Sequence, residues 1–217
     1  MSLGPIIKDH SLYLVTSEEY SEGRTSLEIA TEAVAGGIDI LQMREKTKPR
    51  DELIELGSKL SKLCEKTETV FIVNDDPFLA NEVEADGVHL GQEDMQKYTL
   101  EVVRDIIGKG KIIGTSTHSV EQFETANNSD VDYIAFGPIF PTKTKDYAIG
   151  LKDISTVIDM ALKPVVFIGG INLDNIDEVM VRGARNIALI RGITAVENIK
   201  NKVMKFKQKI DSYKKGH

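Results

Sequence analysis

What most restricts the fold of this chain is a recurrence that runs its whole length: short, β-branched apolar runs alternating with helical patterns. The runs are Leu12–Val15, Ile38–Met43, Val70–Val73, Gly87–Leu90, Ile112–Gly114, Tyr133–Phe136, Val165–Ile168 and Ile187–Ile190. Between them, helical periodicity covers Thr25–Ala35, Asp51–Lys66, Leu100–Ile107, Val120–Ala126, Ile154–Ala161, Asn175–Arg182 and Ala195–Tyr213. Gly36-Gly37, Gly108, Gly110 and Gly183 stand where helix C-caps are expected. Strands that are apolar residue after residue are buried on both faces, so the pattern predicts a parallel sheet covered by helices. At 217 residues, a single closed (β/α)8 TIM barrel of the α/β class is the natural solution. A doubly wound open sheet satisfies the same pattern. No linker or low-complexity segment interrupts the chain, so one domain over residues 4–215 is expected, with Met1–Leu3 and Gly216–His217 set aside as cloning remnants.

The richest stretch lies between Val70 and Asp94. Two apolar runs each end in acids: Val70–Val73 leads into Asn74-Asp75-Asp76, and Gly87–Leu90 leads into Gly91-Gln92-Glu93-Asp94. Pro77–Val83 reads as a short helix between them, its proline in the first turn where the missing N–H costs little. A right-handed crossover sets the two strands parallel and brings both acid clusters to the same C-terminal edge. Two carboxylates at a strand-end rim, with room for water and a substrate phosphate, are what Mg²⁺ usually takes from a protein. The plainer alternative is that Asp75 and Asp94 only start turns and cap helices.

The other polar residues cluster in the same way. Gln42, Arg44, Glu45 and Lys46 end the second run, Gln92 and Asp94 follow the fourth, and Ser116 and His118 follow the fifth. Thr142, Thr144 and Lys145 follow the sixth, Gly169-Gly170 the seventh, and Arg191-Gly192 the eighth. In a barrel these ring the one face where barrel enzymes keep their active sites, while the opposite strand ends offer nothing comparable. Cations beside a metal-competent acid pair suit a polyphosphate and, as it departs, its developing charge. Gly169-Gly170 followed by a helix resembles the backbone phosphate site of many barrels, although a tight turn explains the pair as well. His118 reads as a strand-end hydrogen-bonding residue rather than a base.

Composition narrows the partners. A net charge of −7 without a basic block argues against nucleic acid or a membrane surface. The single cysteine, Cys64, excludes an internal disulfide and fits a reducing, cytoplasmic setting; it shares a helical face with Leu53, Leu56, Leu60 and Leu63 and reads as core. No signal peptide and no membrane-length apolar run is expected. The oligomeric state stays open, a homo-oligomer included.

Six segments in order carry a resemblance: Leu41–Lys46, Ile72–Asp76, Ala85–Asp94, Gly114–His118, Gly137–Lys145 and Ile168–Ile171. Over nearly its whole length the chain resembles the thiamine-phosphate synthase (thiamine-phosphate pyrophosphorylase) family. The resemblance implies a (β/α)8 barrel that joins hydroxymethylpyrimidine diphosphate to a thiazole phosphate, releasing pyrophosphate through a pyrimidine-methyl cation. It implies Mg²⁺ on Asp75 and Asp94, with Arg44, Lys46, Asn74 and Lys145 on the diphosphate. Gln42 is implied to read the aminopyrimidine edge, with Tyr13 and Ser116 near the ring; Thr142, Thr144, Gly170 and Ile190 border the thiazole phosphate. One departure stands out: Arg191 occupies a position where the family has a small serine. The segment from Lys145 to Gly150 is also short for a loop that closes over substrates. A thiazole tautomerase-like barrel of the same superfamily, another phosphosugar barrel enzyme such as an epimerase, and a catalytically silent barrel binding a thiamine precursor are the alternatives. Asp75, Asp94, Asn74 and the Thr142–Lys145 run weigh against the tautomerase, and the intact charged rim weighs against the silent barrel.

Overall fold

The strands form on the expected segments and close. A computed structural model describes residues 7–142 and 147–214. Its strands are β1 (Leu12–Val15), β2 (Ile40–Met43), β3 (Val70–Asn74), β4 (Gly87–Leu90), β5 (Ile112–Thr117), β6 (Tyr133–Phe136), β7 (Val165–Ile168) and β8 (Asn186–Leu189). Each pairs in parallel with the next, and β1 also pairs with β8, with Leu12 opposite Ile187. The ring is therefore a closed eight-stranded barrel, and the open sheet is excluded.

Helices α1 (Ser26–Ala35), α2 (Arg50–Glu65), α3 (Pro77–Glu82), α4 (Asp94–Lys97), α5 (Leu100–Ile107), α6 (Val120–Asn127), α7 (Ile154–Met160), α8 (Ile176–Met180), α9 (Arg191–Thr194) and α10 (Ile199–Lys214) accompany the strands. Local chemistry sets several starts. Thr25 and Glu28 form a capping box on α1, Asp76 caps α3 ahead of Pro77, and Thr99 and Ser119 cap α5 and α6. One expected helix starts later: the segment read as 195–213 begins at Ile199, where the Asn198 side chain accepts from Asn201 N at 2.8 Å and Glu32 accepts from Ile199 N. Two short helices, α4 and α9, were not legible as periodic patterns; each is a single turn following a strand end. Among the described residues, no helix is long and apolar enough to cross a membrane.

Alternation within each run sorts side chains between two cores. Leu12, Leu14, Leu41, Met43, Phe71 and Val73 pack outward against the helices, where the edge-to-face series Phe123–Phe136–Phe167 also lies. Cys64 belongs here, and burial pushes its thiol up to about 12. Tyr13, Val15, Ile40, Ile72, Ile112, Tyr133, Val166 and Ala188 point inward and fill the barrel. The inward parity continues towards the C-terminal rim through Gln42, Asn74, His89 and Ser116, so the polar residues there are the last members of the inward-facing series.

The N-terminal rim corrects one expectation. Far from lacking polar structure, it carries a repeated device: a side chain just before or at the start of each even-numbered strand hydrogen-bonds the backbone at the start of a neighbouring strand. Asp39 accepts from Leu12 N at 2.7 Å, Asp86 from Phe71 N at 2.8 Å and Asp132 from Ile113 N at 2.7 Å. Asn186 accepts from Ser11 N at 3.0 Å and donates to Val165 O at 3.1 Å. Lys207 pairs with Asp39 and Arg104 with Asp132. These groups satisfy backbone donors at the foot of the barrel, and the expected concentration of open, unspent polar chemistry stays at the other end.

Candidate active site

The C-terminal strand ends surround a cavity of about 460 Å³. Of the residues singled out in the sequence, Tyr13, Gln42, Arg44, Asn74, Ser116, Thr142, Gly170, Ile190 and Arg191 line it. Asp75 and Asp94 meet on the rim beside it, and Lys46 is exposed nearby, close enough for its charge to act on Asp75. Thr144 and Lys145 lie outside the described residues.

The floor is a continuous hydrogen-bonded chain. Gln42 Nε2 donates to the Tyr13 hydroxyl at 2.9 Å, and the Tyr13 and Tyr133 hydroxyls lie 2.8 Å apart. Tyr133 Oη is 2.7 Å from His89 Nδ1, and His89 Nε2 is 2.8 Å from Ser116 Oγ. Burial, then the nearby His118, lowers the His89 pKa to about 4, so the imidazole is neutral; burial likewise raises both tyrosines. Tyr133 reaches across because residue 114 is glycine: a Cβ there would sit 2.1 Å from the Tyr133 ring. His89 and Tyr133 received no role in the sequence reading. The available signal was parity, since both fall on inward positions of their runs.

At one edge of the cavity the acids face each other. Asp75 adopts φ 65°, a left-handed conformation that Asp tolerates better than most residues, and its N–H donates to His89 O at 2.8 Å. Burial first, and then the facing Asp94 carboxylate, raise the Asp75 pKa to about 6. On Asp94 burial is outweighed, chiefly by the hydrogen bond from Lys97 at 2.7 Å, and its pKa falls below the ordinary value. Both carboxylates border a small cradle under Gly91, where a Cβ would lie 3.2 Å from Asp94 Oδ2 and 3.8 Å from Asp75 Oδ1. Among the described residues no group of three His, Cys, Asp or Glu side chains could hold a metal ion. A pair is nonetheless the donor set that Mg²⁺ accepts, because it retains water and takes substrate phosphate oxygens. The residues present therefore fit that ion.

Arg44 is held by a buttress beneath it. Glu45 accepts from Thr16 Oγ1 at 3.3 Å, from Glu18 N at 3.1 Å and from the Ser26 hydroxyl, while Arg44 N donates to Thr16 Oγ1 at 3.3 Å. These bonds tie the loop after β2 to the start of α1. His118 Nδ1 donates to Gly137 O, 2.6 Å away, because a carbonyl only accepts; the expected strand-end hydrogen bond is present.

The opposite edge is made mainly of backbone. Gly169 and Gly170 have φ of 101° and 65°, and a Cβ on Gly170 would meet Phe140 Cβ and Pro141 O at 2.7 Å. Glycine is thus required there by both conformation and space. Asn175 donates to Gly170 O at 3.0 Å and accepts from Asn172 N at 2.8 Å, fixing the loop. Arg191 begins α9 at the cavity mouth; it is exposed, and its charge acts on the Tyr20 phenol together with that of Arg44.

A family model described as thiamine monophosphate synthase matches residues 12–193. The chain is a member of the thiamine monophosphate synthase family. Within that family it is 39% identical over 207 residues to a thiamine-phosphate synthase of Persephonella marina, covering 94% of this chain and 98% of that protein. It is 41% identical over 214 residues to one of Dictyoglomus turgidum, covering 97% and 95%. The solved structure of a thiamine phosphate pyrophosphorylase from Pyrococcus furiosus superposes with a TM-score of 0.85 at 33% identity, covering 94% of this chain and 96% of that one. Thiamine monophosphate synthase family membership makes this chain a transferase of thiamine biosynthesis.

Proposed function

We propose that this chain is a thiamine-phosphate synthase that joins 4-amino-2-methyl-5-hydroxymethylpyrimidine diphosphate to a thiazole phosphate, releasing pyrophosphate. The observation that carries the reading is the layout of the strand ends around the cavity: the Asp75–Asp94 pair follows β3 and β4, Gly169-Gly170 follows β7 across the barrel, and Arg44 and Arg191 flank the end of β1. A diphosphate and a monophosphate each find a fitting site, with an aromatic and amide floor between them.

In this reading the pyrimidine ring lies over Tyr13, Gln42 and Ser116, and its diphosphate extends towards Arg44, Asn74, Lys46 and Lys145. Mg²⁺ held by Asp75 and Asp94 would supply positive charge against the diphosphate oxygens. Arg44 offers planar paired donors to the same oxygens, and its contribution grows as charge collects on the departing pyrophosphate. Gly170, Thr142, Thr144, Ile190 and Arg191 hold the thiazole phosphate so that the ring nitrogen approaches the methylene carbon being released. The apolar walls at Val166, Ile168 and Ala188 keep water from the electron-poor carbon. A tautomerase gives the facing carboxylates nothing to do, so the synthase reading stands above it. The test is to mix both precursors with Mg²⁺ and measure thiamine phosphate; no product from the folded protein would overturn the assignment.

A further inference from the structure

The chain of hydrogen bonds under the cavity has a direction, and that direction fixes what its two ends present to a ligand. Gln42 donates through Nε2 to the Tyr13 hydroxyl. That phenol sits in a fully buried position, so its own proton must find an acceptor, and the Tyr133 oxygen at 2.8 Å supplies one. Tyr133 is also fully buried; with its oxygen accepting from Tyr13, its proton goes to His89 Nδ1 at 2.7 Å. An imidazole whose Nδ1 accepts carries its one proton on Nε2. His89 Nε2 therefore donates to Ser116 Oγ at 2.8 Å, and the serine's own proton is released from the chain.

We propose that Tyr133 and His89 are positioning residues that set a fixed polarity at the ring-binding floor, with Gln42 Oε1 as acceptor and the Ser116 hydroxyl as donor. The inference rests on the synthase reading for the identity of the ring, but not for the polarity itself. An acceptor at one point and a donor at another matches an aminopyrimidine, whose amino group donates and whose ring nitrogens accept. In the corresponding oxo-pyrimidine, the carbonyl would face the Gln42 oxygen, and a ring nitrogen that becomes N–H could no longer accept from the Ser116 hydroxyl. The chain thus selects amino over oxo without a charged group, and Tyr133 takes part though it does not line the cavity. Gly114 belongs to the same device, since only a residue without Cβ lets the Tyr133 ring cross to His89.

Two measurements test this. In protein labelled with ¹⁵N-histidine, long-range ¹H–¹⁵N spectra at neutral pH should show His89 as the neutral Nε2–H tautomer, assigned by its loss in His89→Asn. An Nδ1–H tautomer or an imidazolium would overturn the proposal, whatever the protein catalyses. Tyr133→Phe keeps the ring that packs on Gly114 but breaks the relay. It should lower the preference in kcat/KM for the 4-amino over the 4-oxo pyrimidine diphosphate by about tenfold, the scale of one hydrogen bond. An unchanged preference would overturn the role of Tyr133. If Tyr133→Phe fails to fold, the tautomer of the unaltered protein decides alone. If thiamine phosphate never forms, the function fails, and the two free pyrimidines, titrated calorimetrically, report the preference in its place.

Discussion

The two rims of the barrel use the same side chains to opposite ends. At the N-terminal rim, Asp39, Asp86 and Asp132 each accept a backbone N–H, and Asp39 and Asp132 are also paired with Lys207 and Arg104. At the C-terminal rim, Asp75 and Asp94 are turned towards each other instead, and one of them is pushed up to about 6 by burial and by its neighbour. Facing carboxylates are costly without a cation, so a fold that keeps them reserves the position for a ligand. What separates a structural acid from a functional one here is not its residue type or its place at a strand end. It is whether the acid is spent on the backbone N–H of a neighbouring strand, as Asp39, Asp86 and Asp132 are, or turned towards a second carboxylate, as Asp75 and Asp94 are even though Lys97 pairs with Asp94.

Breaking the upper pair should produce the largest effect. Asp75→Ala or Asp94→Ala is expected to lower kcat by about 10²–10³-fold, the scale of losing one preorganised electrostatic element, with an unchanged urea midpoint. Chelator should abolish turnover and Mg²⁺ restore it; full activity in chelator sinks the metal assignment. Next comes Arg44, where Arg44→Ala should cut kcat by about 10²-fold and Arg44→Lys recover only part, because a point charge cannot reproduce a planar fork. A change confined to KM would count against its action on the leaving group.

The lower rim should respond in the opposite currency of observables. Asp132→Ala strands the Ile113 N–H and is expected to destabilise the fold by about 1–3 kcal/mol while kcat stays as it was. Denaturant unfolding and steady-state kinetics on the same sample check both halves, and a loss of kcat without loss of stability would dissolve the contrast between rims. The smallest effect is expected at Arg191, which is exposed at the mouth. Arg191→Ser should raise KM for the thiazole phosphate by roughly tenfold, from the loss of about 1.5 kcal/mol of charged hydrogen bonding, and leave the pyrimidine diphosphate nearly unaffected. Equal or tighter thiazole binding in that variant would make the arginine a bystander.

The alternation of runs and helices, the polar ends of those runs and the acid pair were all written in the sequence, because periodicity and strand ends are local properties. Strands β1, β4, β6 and β7 fall on their expected residues for that reason. The start of the last helix depended on Glu32, which lies in α1 and meets Ile199 only once the barrel has closed. The fate of each acid was likewise undecided in one dimension: Asp39 and Asp75 both sit beside apolar runs, and only the closed barrel brings Lys207 to the first and Asp94 to the second. The relay from Gln42 to Ser116 was the least legible feature of all. Its members come from five regions of the chain, and they touch because inward-facing residues of β1, β2, β4, β5 and β6 converge on a single axis. A sequence specifies which residues point inward; only closure of the sheet determines which of them meet.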